Sequence, residues 1–287
     1  MAAGARRIRI VTDSMADLPA TWVREFDVHV VPLHVLFKGE SYRDGIDVSH
    51  EAFFEMMRQA GNEELPRTSH PSPADFVAAY QAIARDASAI LSIHASADIS
   101  ATYQSAMVAA REFQEVPVSV WDTRLVSMGE GLAVREVARA VQEGLPAGEC
   151  LKRGQDLARR MRVRFTVETL EYLWKNGRIG RAQAFVGGLL QLKPVLAFED
   201  GMVTPVERVR GRARSLSRLA EMCAEETGGS GQTLAIVHAA ALEEAQALRE
   251  EILGRCQFDE VVVTTLGATI TSHTGPGTIG IIYTLKE

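Results

Sequence analysis

The chain has few cysteines, and they follow no recognisable pattern. Cys150, Cys223 and Cys256 are the three cysteines among 287 residues, and they lie far apart in the sequence. Zinc sites use closely spaced Cys or His pairs, and small secreted proteins carry dense, even sets of cysteines. We therefore expect three reduced core thiols. The seven histidines are dispersed as well, so we predict no metal ion.

Positive charge and long apolar runs are also lacking. A net charge of −6 argues against a basic nucleic-acid-binding surface. No segment approaches the ~20 apolar residues that a membrane-spanning helix needs. The first residues, "MAAGARRIRIVTDS", have charges but lack the apolar core of a signal peptide. We therefore expect a cytoplasmic protein with no nucleic-acid partner and no stable membrane insertion.

Strand-like and helix-like segments alternate along the chain. Apolar runs such as "RIRIVTD", "SAILSIHA" and "VSVW" are separated by amphipathic segments. Such alternation predicts parallel β-α-β units. Ser72, Pro73 and Asp75 match a capping box at a helix start. After "CLKRGQDLARRMR" the pattern changes, and the pair Asp200-Gly201 predicts a hairpin turn.

These patterns predict an α/β protein of two domains. The first, residues 1–163, should have a parallel sheet with flanking helices, and the second, residues 164–287, should be a further α/β domain. In parallel sheets, ligands bind beyond the carboxyl ends of the strands.

The segment "SHTGPGTIGIIY" contains G-x-G-x-x-G at Gly275, Gly277 and Gly280. A dinucleotide site requires a strand before the glycines, a helix after them and an acidic residue about 20 positions further on. The sequence ends at Glu287, before these parts would be complete. We therefore expect no dinucleotide and turn to the neighbouring His273, on what reads as a glycine-flanked turn.

Small hydroxyl side chains cluster where helices are predicted to start. Thr68 and Ser69 precede one helix, and Ser96 and Ser100 precede another. Such hydroxyls often cap helices, but helix N-termini also bind carboxylates and phosphates, so both interpretations stay open. His273 is either a further donor or a buried structural imidazole.

Two further features have alternative interpretations. Gly187 and Gly188 lie within a helical pattern, where each costs about 1 kcal/mol relative to alanine. They make room either for tight helix packing or for a ligand tail. Asp13, after the first strand, is either a turn former or the base of a phosphotransferase or hydrolase, a role that His273 could also fill. No nucleophile, base and orienting group occur together in a motif, which favours a binding protein over an enzyme.

Several motifs together resemble those of the DegV family. They are "VTDSMADLP", "RTSHPSP", "ISATYQSA", "LEYLWKNGRIGRAQAFVGGLLQLKPVL", "VRGRARSL" and "SHTGPGTIG", and they span nearly the whole chain. The resemblance implies a carrier that holds a long-chain fatty acid between two α/β domains and has no catalytic site or cofactor of its own. It also implies a partner, because several members are the fatty-acid-binding subunit of bacterial fatty-acid kinase.

The resemblance also assigns residues. Thr68, Ser100 and His273 match the residues expected at the fatty-acid carboxylate, and Arg178 matches a residue associated with kinase docking. This chain departs from the family pattern at Ala97, Ala101 and Asn176. Arg210 likewise matches an arginine associated with the site mouth and kinase docking. From the sequence we also predict secondary ligand contacts at Ser69, Ser96, Thr274 and Arg210, and an acyl-tail pocket at Gly187 and Gly188.

Overall fold

The computed structural model describes residues 7–60, 64–186 and 192–286. These residues form thirteen strands and ten α-helices, together with short 3-10 helices at Ser14–Ala16 and Gly180–Phe185. The strands are β1 (Arg7–Asp13), β2 (Val28–Val31), β3 (His34–Phe37), β4 (Glu40–Arg43), β5 (Arg67–Ser69), β6 (Ala87–His94), β7 (Val118–Asp122), β8 (Met161–Thr166), β9 (Leu192–Glu199), β10 (Met202–Arg210), β11 (Ser230–His238), β12 (Gln257–Thr265) and β13 (Ile279–Leu285). The helices are α1 (Ala20–Glu25), α2 (His50–Ala60), α3 (Pro73–Ala84), α4 (Thr102–Glu112), α5 (Met128–Gln142), α6 (Ala147–Arg160), α7 (Glu171–Lys175), α8 (Arg212–Thr227), α9 (Leu242–Leu253) and α10 (Ala268–Thr274).

The chain forms two compact units. The first comprises Met1–His34 and Ser69–Arg159, and the second comprises Val35–Thr68 and Arg160–Glu287. The sequence-based ranges 1–163 and 164–287 differ from these units mainly at residues 35–68, which the structure places in the second unit. Sequence patterns report local structure, and they do not show which distant segment a stretch of chain packs against.

The first unit contains a four-stranded sheet in the order β2-β1-β6-β7. All three strand pairs are parallel, which confirms the predicted parallel sheet. Apolar side chains of α3 and α4 form one core with strand residues, and those of α5 form another. The carboxyl ends of β1 and β6 therefore place Asp13 and His94 at the same edge of the sheet.

Helix α3 begins with the predicted capping box. The Ser72 N–H donates to Asp75 Oδ2 at 2.8 Å, and the Asp75 N–H donates to Ser72 Oγ at 3.3 Å. Pro73 is the first helical residue, where it needs no N–H partner. The capping box is therefore confirmed.

The second unit contains a six-stranded mixed sheet in the order β10-β9-β8-β13-β11-β12. β9 and β10 form the predicted hairpin, and its turn residues Asp200 and Gly201 both have positive φ. Helices α8 and α9 pack their apolar side chains against the sheet. A separate three-stranded sheet has the order β4-β3-β5. Among the described helices, none is both long and apolar enough to cross a membrane.

Candidate functional site

Two of the predicted carboxylate-binding residues meet in the second unit. Thr68 is the middle residue of β5, and His273 is the last residue but one of α10. Although they are 205 positions apart, Thr68 Oγ1 and His273 Nε2 lie 2.7 Å apart. The local predictions were wrong, because Thr68 lies on a strand rather than at a helix start, and His273 lies on a helix rather than on a turn. Thr68 lies on a strand because β5 pairs with β3, and the helix of His273 is capped by a residue distant in the sequence. Local sequence patterns do not report either contact.

The imidazole of His273 is neutral at neutral pH. Burial, with a smaller contribution from the positive charge of Arg178, lowers the pKa of His273 to about 4. Its Nδ1 atom is buried and has no hydrogen-bond partner. A neutral imidazole and a hydroxyl carry one mobile hydrogen each, and one of the two is used between them. The pair therefore keeps one donor for a ligand, either the Thr68 hydroxyl or the Nδ1–H of His273.

Asp44 holds the helix that carries His273. Its Oδ1 accepts from the Ala268 N–H at 3.0 Å and its Oδ2 from the Thr269 N–H at 3.1 Å. The N-cap residue, Gly267, has no side chain that could do this. Sequence reasoning missed Asp44, because it lies 224 positions before Ala268. The available signal was a helix start without a capping side chain of its own.

The three glycines of the G-x-G-x-x-G segment follow a helix and lead into a strand. Gly275 ends α10, and Gly280 lies in β13, which is the opposite order to a dinucleotide site. Gly275 has a φ of +82°, and a Cβ added there would lie 2.5 Å from the ring of Tyr172. A Cβ on Gly277 would lie 2.6 Å from Glu168 Cγ. Gly275 and Gly277 therefore permit close packing against Tyr172 and Glu168.

A turn between α7 and the following 3-10 helix lies next to α10. The Nδ2 of Asn176 donates to the Ser272 carbonyl at 2.9 Å, so this residue ties the turn to the neighbour of His273. Arg178 is exposed, and its guanidinium donates to the Asn176 carbonyl at 2.9 Å. The positive charge of Arg178 contributes to the lowered pKa of His273.

Other predicted residues of the second unit have more ordinary surroundings. The hydroxyl of Thr274 donates to the Ile270 carbonyl within α10, at 3.1 Å. Arg210 is exposed at the end of β10. Gly187 and Gly188, the predicted acyl-tail pocket, lie outside the described residues.

Three predicted hydroxyl residues lie in the first unit. Ser100 is half-buried, and its Oγ lies 2.8 Å from Thr102 Oγ1. The N-cap of α4 is Ala101, and Ser100 Oγ accepts from the N–H of Thr102, the first residue of the helix, at 3.3 Å. Ser96 is fully buried, and its Oγ accepts from the Asp98 N–H at 3.3 Å. Ser69 is exposed.

Asp13 belongs to a buried chain of side-chain hydrogen bonds. Its Oδ2 lies 2.9 Å from His94 Nδ1, and Ser92 Oγ lies 2.6 Å from His94 Nε2. This is the connectivity of a Ser-His-Asp triad. All three residues are fully buried, however, and Tyr80 OH lies 2.9 Å from the Ser92 hydroxyl. In this conformation a substrate has no access to Ser92, so the geometry does not favour a hydrolase that uses Asp13.

Comparison with known proteins identifies relatives along nearly the whole chain. The family model described as "Uncharacterised protein, DegV family" matches residues 7–286. A DegV domain-containing protein of Deinococcus radiodurans is 38% identical over 275 residues, which cover 96% of this chain and 97% of that protein. A Thermus thermophilus structure, described as "Fatty Acid Binding of a DegV family Protein", has 38% identity and a TM-score of 0.91, covering 97% of this chain and 100% of that one. The Bacillus subtilis structure of "DegV, a fatty acid binding protein" has 31% identity and a TM-score of 0.87, covering 98% and 100%.

Proposed function

The chain belongs to the DegV family, and from that premise we propose that it binds a long-chain fatty acid and presents the carboxylate to a separate kinase. The relatives described as fatty-acid-binding proteins support the ligand class. The observation that carries the proposal is the Thr68–His273 pair, a half-buried site with one donor left for an anion.

The chemistry of the pair suits a carboxylate at the end of an apolar chain. Burial of an acyl tail contributes about 0.8 kcal/mol per methylene. A carboxylate that loses water without gaining donors would offset much of this. Thr68 and His273 supply a donor, and the nearby positive charge of Arg178 favours an anion at the same place.

The ligand class has a direct test. Native mass spectrometry of the purified protein should show a mass increment that matches a fatty acid, and lipid extraction should recover that acid. If no lipid co-purifies and the delipidated protein does not bind added oleic acid, the proposed ligand class is wrong.

Removal of the Thr68 hydroxyl should weaken fatty-acid binding. A hydrogen bond to a charged group contributes about 1.5–3 kcal/mol, so Thr68→Ala should raise the Kd for oleic acid roughly 10- to 150-fold. Isothermal titration calorimetry of the delipidated protein measures this change. Thr68→Ser keeps the hydroxyl and should retain most of the affinity.

The matched control for Thr68 is Thr204→Ala, which removes a threonine hydroxyl from β10 of the same unit. Its affinity should equal that of the wild type. If Thr68→Ala binds as tightly as Thr204→Ala, the Thr68–His273 pair is not the carboxylate site.

Ser100 and the secondary contacts are proposed separately. Ser100→Ala should also weaken binding of oleic acid in the same titration, and an unchanged Kd would remove it from the site. Ser69, Ser96, Thr274 and Arg210 stay proposed as secondary contacts, and Gly187 and Gly188 as the tail pocket.

Arg178 is the residue that we propose for the kinase step. It is exposed beside the His273 site, and a guanidinium there could dock the kinase or steady the phosphate during transfer. Arg178→Ala should retain measurable oleic acid binding but lose most of the acyl phosphate that forms when a bacterial fatty-acid kinase and ATP are added.

Arg181→Ala is the control for Arg178, since Arg181 lies in the same segment and pairs with Asp200. Equal phosphorylation of both variants would assign Arg178 to an ordinary surface role. ATP turnover by the wild-type protein alone would instead support the phosphotransferase interpretation of Asp13 or His273.

A further inference from the structure

A cluster of three ionisable side chains is buried in the first unit. Asp13 is at the end of β1, His94 at the end of β6 and Glu130 in the first turn of α5. All three are fully buried. One atom of each lies within 4.8 Å of the others. None of the three is among the residues proposed for fatty-acid binding or for the kinase step.

Asp13 and His94 have hydrogen-bond partners within the cluster and around it. His94 Nδ1 lies 2.9 Å from Asp13 Oδ2, and His94 Nε2 lies 2.6 Å from Ser92 Oγ. The other oxygen of Asp13, Oδ1, accepts from the Met15 N–H at 3.0 Å. Both oxygens of Asp13 therefore have hydrogen-bond partners.

Glu130 is the member of the cluster that has a buried oxygen without a hydrogen-bond partner. Its Oε1 accepts from the Thr12 hydroxyl at 3.0 Å, whereas its Oε2 is buried without a hydrogen-bond partner. An ionised carboxylate with such an oxygen, beside a second carboxylate, would be strongly unfavourable. A proton on Oε2 removes the charge and gives this atom a hydrogen to donate, and a carboxylate oxygen of Asp13 lies within 4.8 Å of one of Glu130.

We propose that Glu130 is a neutral carboxylic acid in the folded protein and shares its proton with Asp13. The shared proton links α5 to the end of β1. Asp13 in turn accepts from the Ala95 N–H at 3.4 Å, at the start of the segment that leads to Ser100. Glu130 is thus a positioning residue for this edge of the sheet, and the link should fail when Glu130 ionises.

The electrostatics of the surrounding groups agree with this assignment. Burial raises the pKa of Glu130 well above its usual range, and the negative charges of Asp13 and Asp17 raise it further, against the effect of the Thr12 hydrogen bond. His94 is already bonded to Asp13 and Ser92. Arg135, on the same helix, stacks on the ring of Trp22.

The sign of the pH dependence follows from the raised pKa. Between the unfolded-state pKa of about 4.3 and the folded-state value, the folded protein holds a proton that the unfolded chain has lost. The stabilisation is complete below about pH 4.3 and is lost as the pH rises towards the folded-state pKa. The folding equilibrium constant should therefore fall about tenfold per pH unit because of this one group.

The test compares the wild type with Glu130→Gln. Glutamine can accept from Thr12 and donate to Asp13 without a titratable proton. Urea unfolding at a series of pH values from about 5 to 8 should show that the folding equilibrium constant of the wild type, relative to that of Glu130→Gln, falls by about tenfold per pH unit until Glu130 ionises in the folded protein. Glu112→Gln, an exposed charge-matched control, should follow the wild type. Parallel profiles for the wild type and Glu130→Gln would overturn the proposal.

Infrared spectroscopy of the wild type gives a second readout if Glu130→Gln does not fold. A band from a protonated carboxyl group at neutral pH supports the assignment, and its absence contradicts it. Addition of Mn²⁺ or Zn²⁺ tests the alternative that the three side chains bind a metal ion. If either ion stabilises the wild type but not Glu130→Gln, the cluster binds a cation rather than a shared proton.

Discussion

Replacement of Asp44 with alanine should destabilise the second unit by about 3–6 kcal/mol. The carboxylate accepts two backbone N–H groups, and hydrogen bonds to charged groups contribute about 1.5–3 kcal/mol each. Alanine would leave the Ala268 and Thr269 N–H groups without these acceptors at the start of α10. Urea unfolding should show the loss, and hydrogen exchange should quicken along α10 before the rest of the unit.

Two further variants distinguish the loss of the helix cap from the loss of a negative charge as the cause of the lower stability. Asp44→Asn keeps one acceptor oxygen and should lose roughly half as much stability. Asp47→Ala removes an exposed carboxylate that pairs with Arg43, and such surface pairs contribute about 0–1 kcal/mol. If Asp44→Ala were no more destabilising than Asp47→Ala, the long-range cap would have no energetic importance.

Loss of the Asp44 cap should also weaken ligand binding at the proposed site. His273 lies on α10, so increased motion of this helix would disturb its 2.7 Å contact with Thr68. We expect Asp44→Ala to bind oleic acid more weakly than Asp47→Ala does, by calorimetry at a temperature where both remain folded.

Replacement of Gly275 with alanine should lower the free energy of unfolding by about 2–6 kcal/mol. Its backbone has φ +82° and ψ 162°, a region open almost only to glycine, where another residue costs about 1–3 kcal/mol. The new Cβ would also lie 2.5 Å from the ring of Tyr172, and overpacking adds about 1–3 kcal/mol. Tyr172 is buried, so its ring has little room to move away.

Gly211→Ala is a matched control for Gly275→Ala. Gly211 has φ +83° and ψ 157°, close to the values of Gly275, but nothing lies within 4 Å of an added Cβ. Gly211→Ala should therefore show the cost of backbone strain alone, about 1–3 kcal/mol. A Gly275→Ala variant as stable as Gly211→Ala in urea would show that the contact with Tyr172 relaxes without cost.

The sequence predicted the elements whose causes are local. The capping box of α3 depends on Ser72 and Asp75, three positions apart, and the β9–β10 hairpin depends on the adjacent Asp200 and Gly201. The parallel sheet follows from apolar strands separated by helices long enough to cross over. In each case, the residues that decide the structure are close together in the chain.

The candidate site was predicted in part, and for a different reason. Thr68 and His273 were identified from family motifs, but local patterns placed the first at a helix start and the second on a turn. Thr68 instead lies on β5, which pairs with β3, and His273 lies on α10, which Asp44 caps. A motif can therefore identify residues whose local structure depends on distant contacts.

By itself, the sequence determined the α/β class, the parallel sheet, the β9–β10 hairpin and the family, because spacing and periodicity act over a few residues. The tertiary structure alone decided that residues 35–68 join the second unit, that Asp44 caps α10 and that Glu130 lies beside Asp13. These contacts join positions more than a hundred residues apart. Their energies come from desolvation and from hydrogen bonds that exist only once the chain has packed, so no local pattern encodes them.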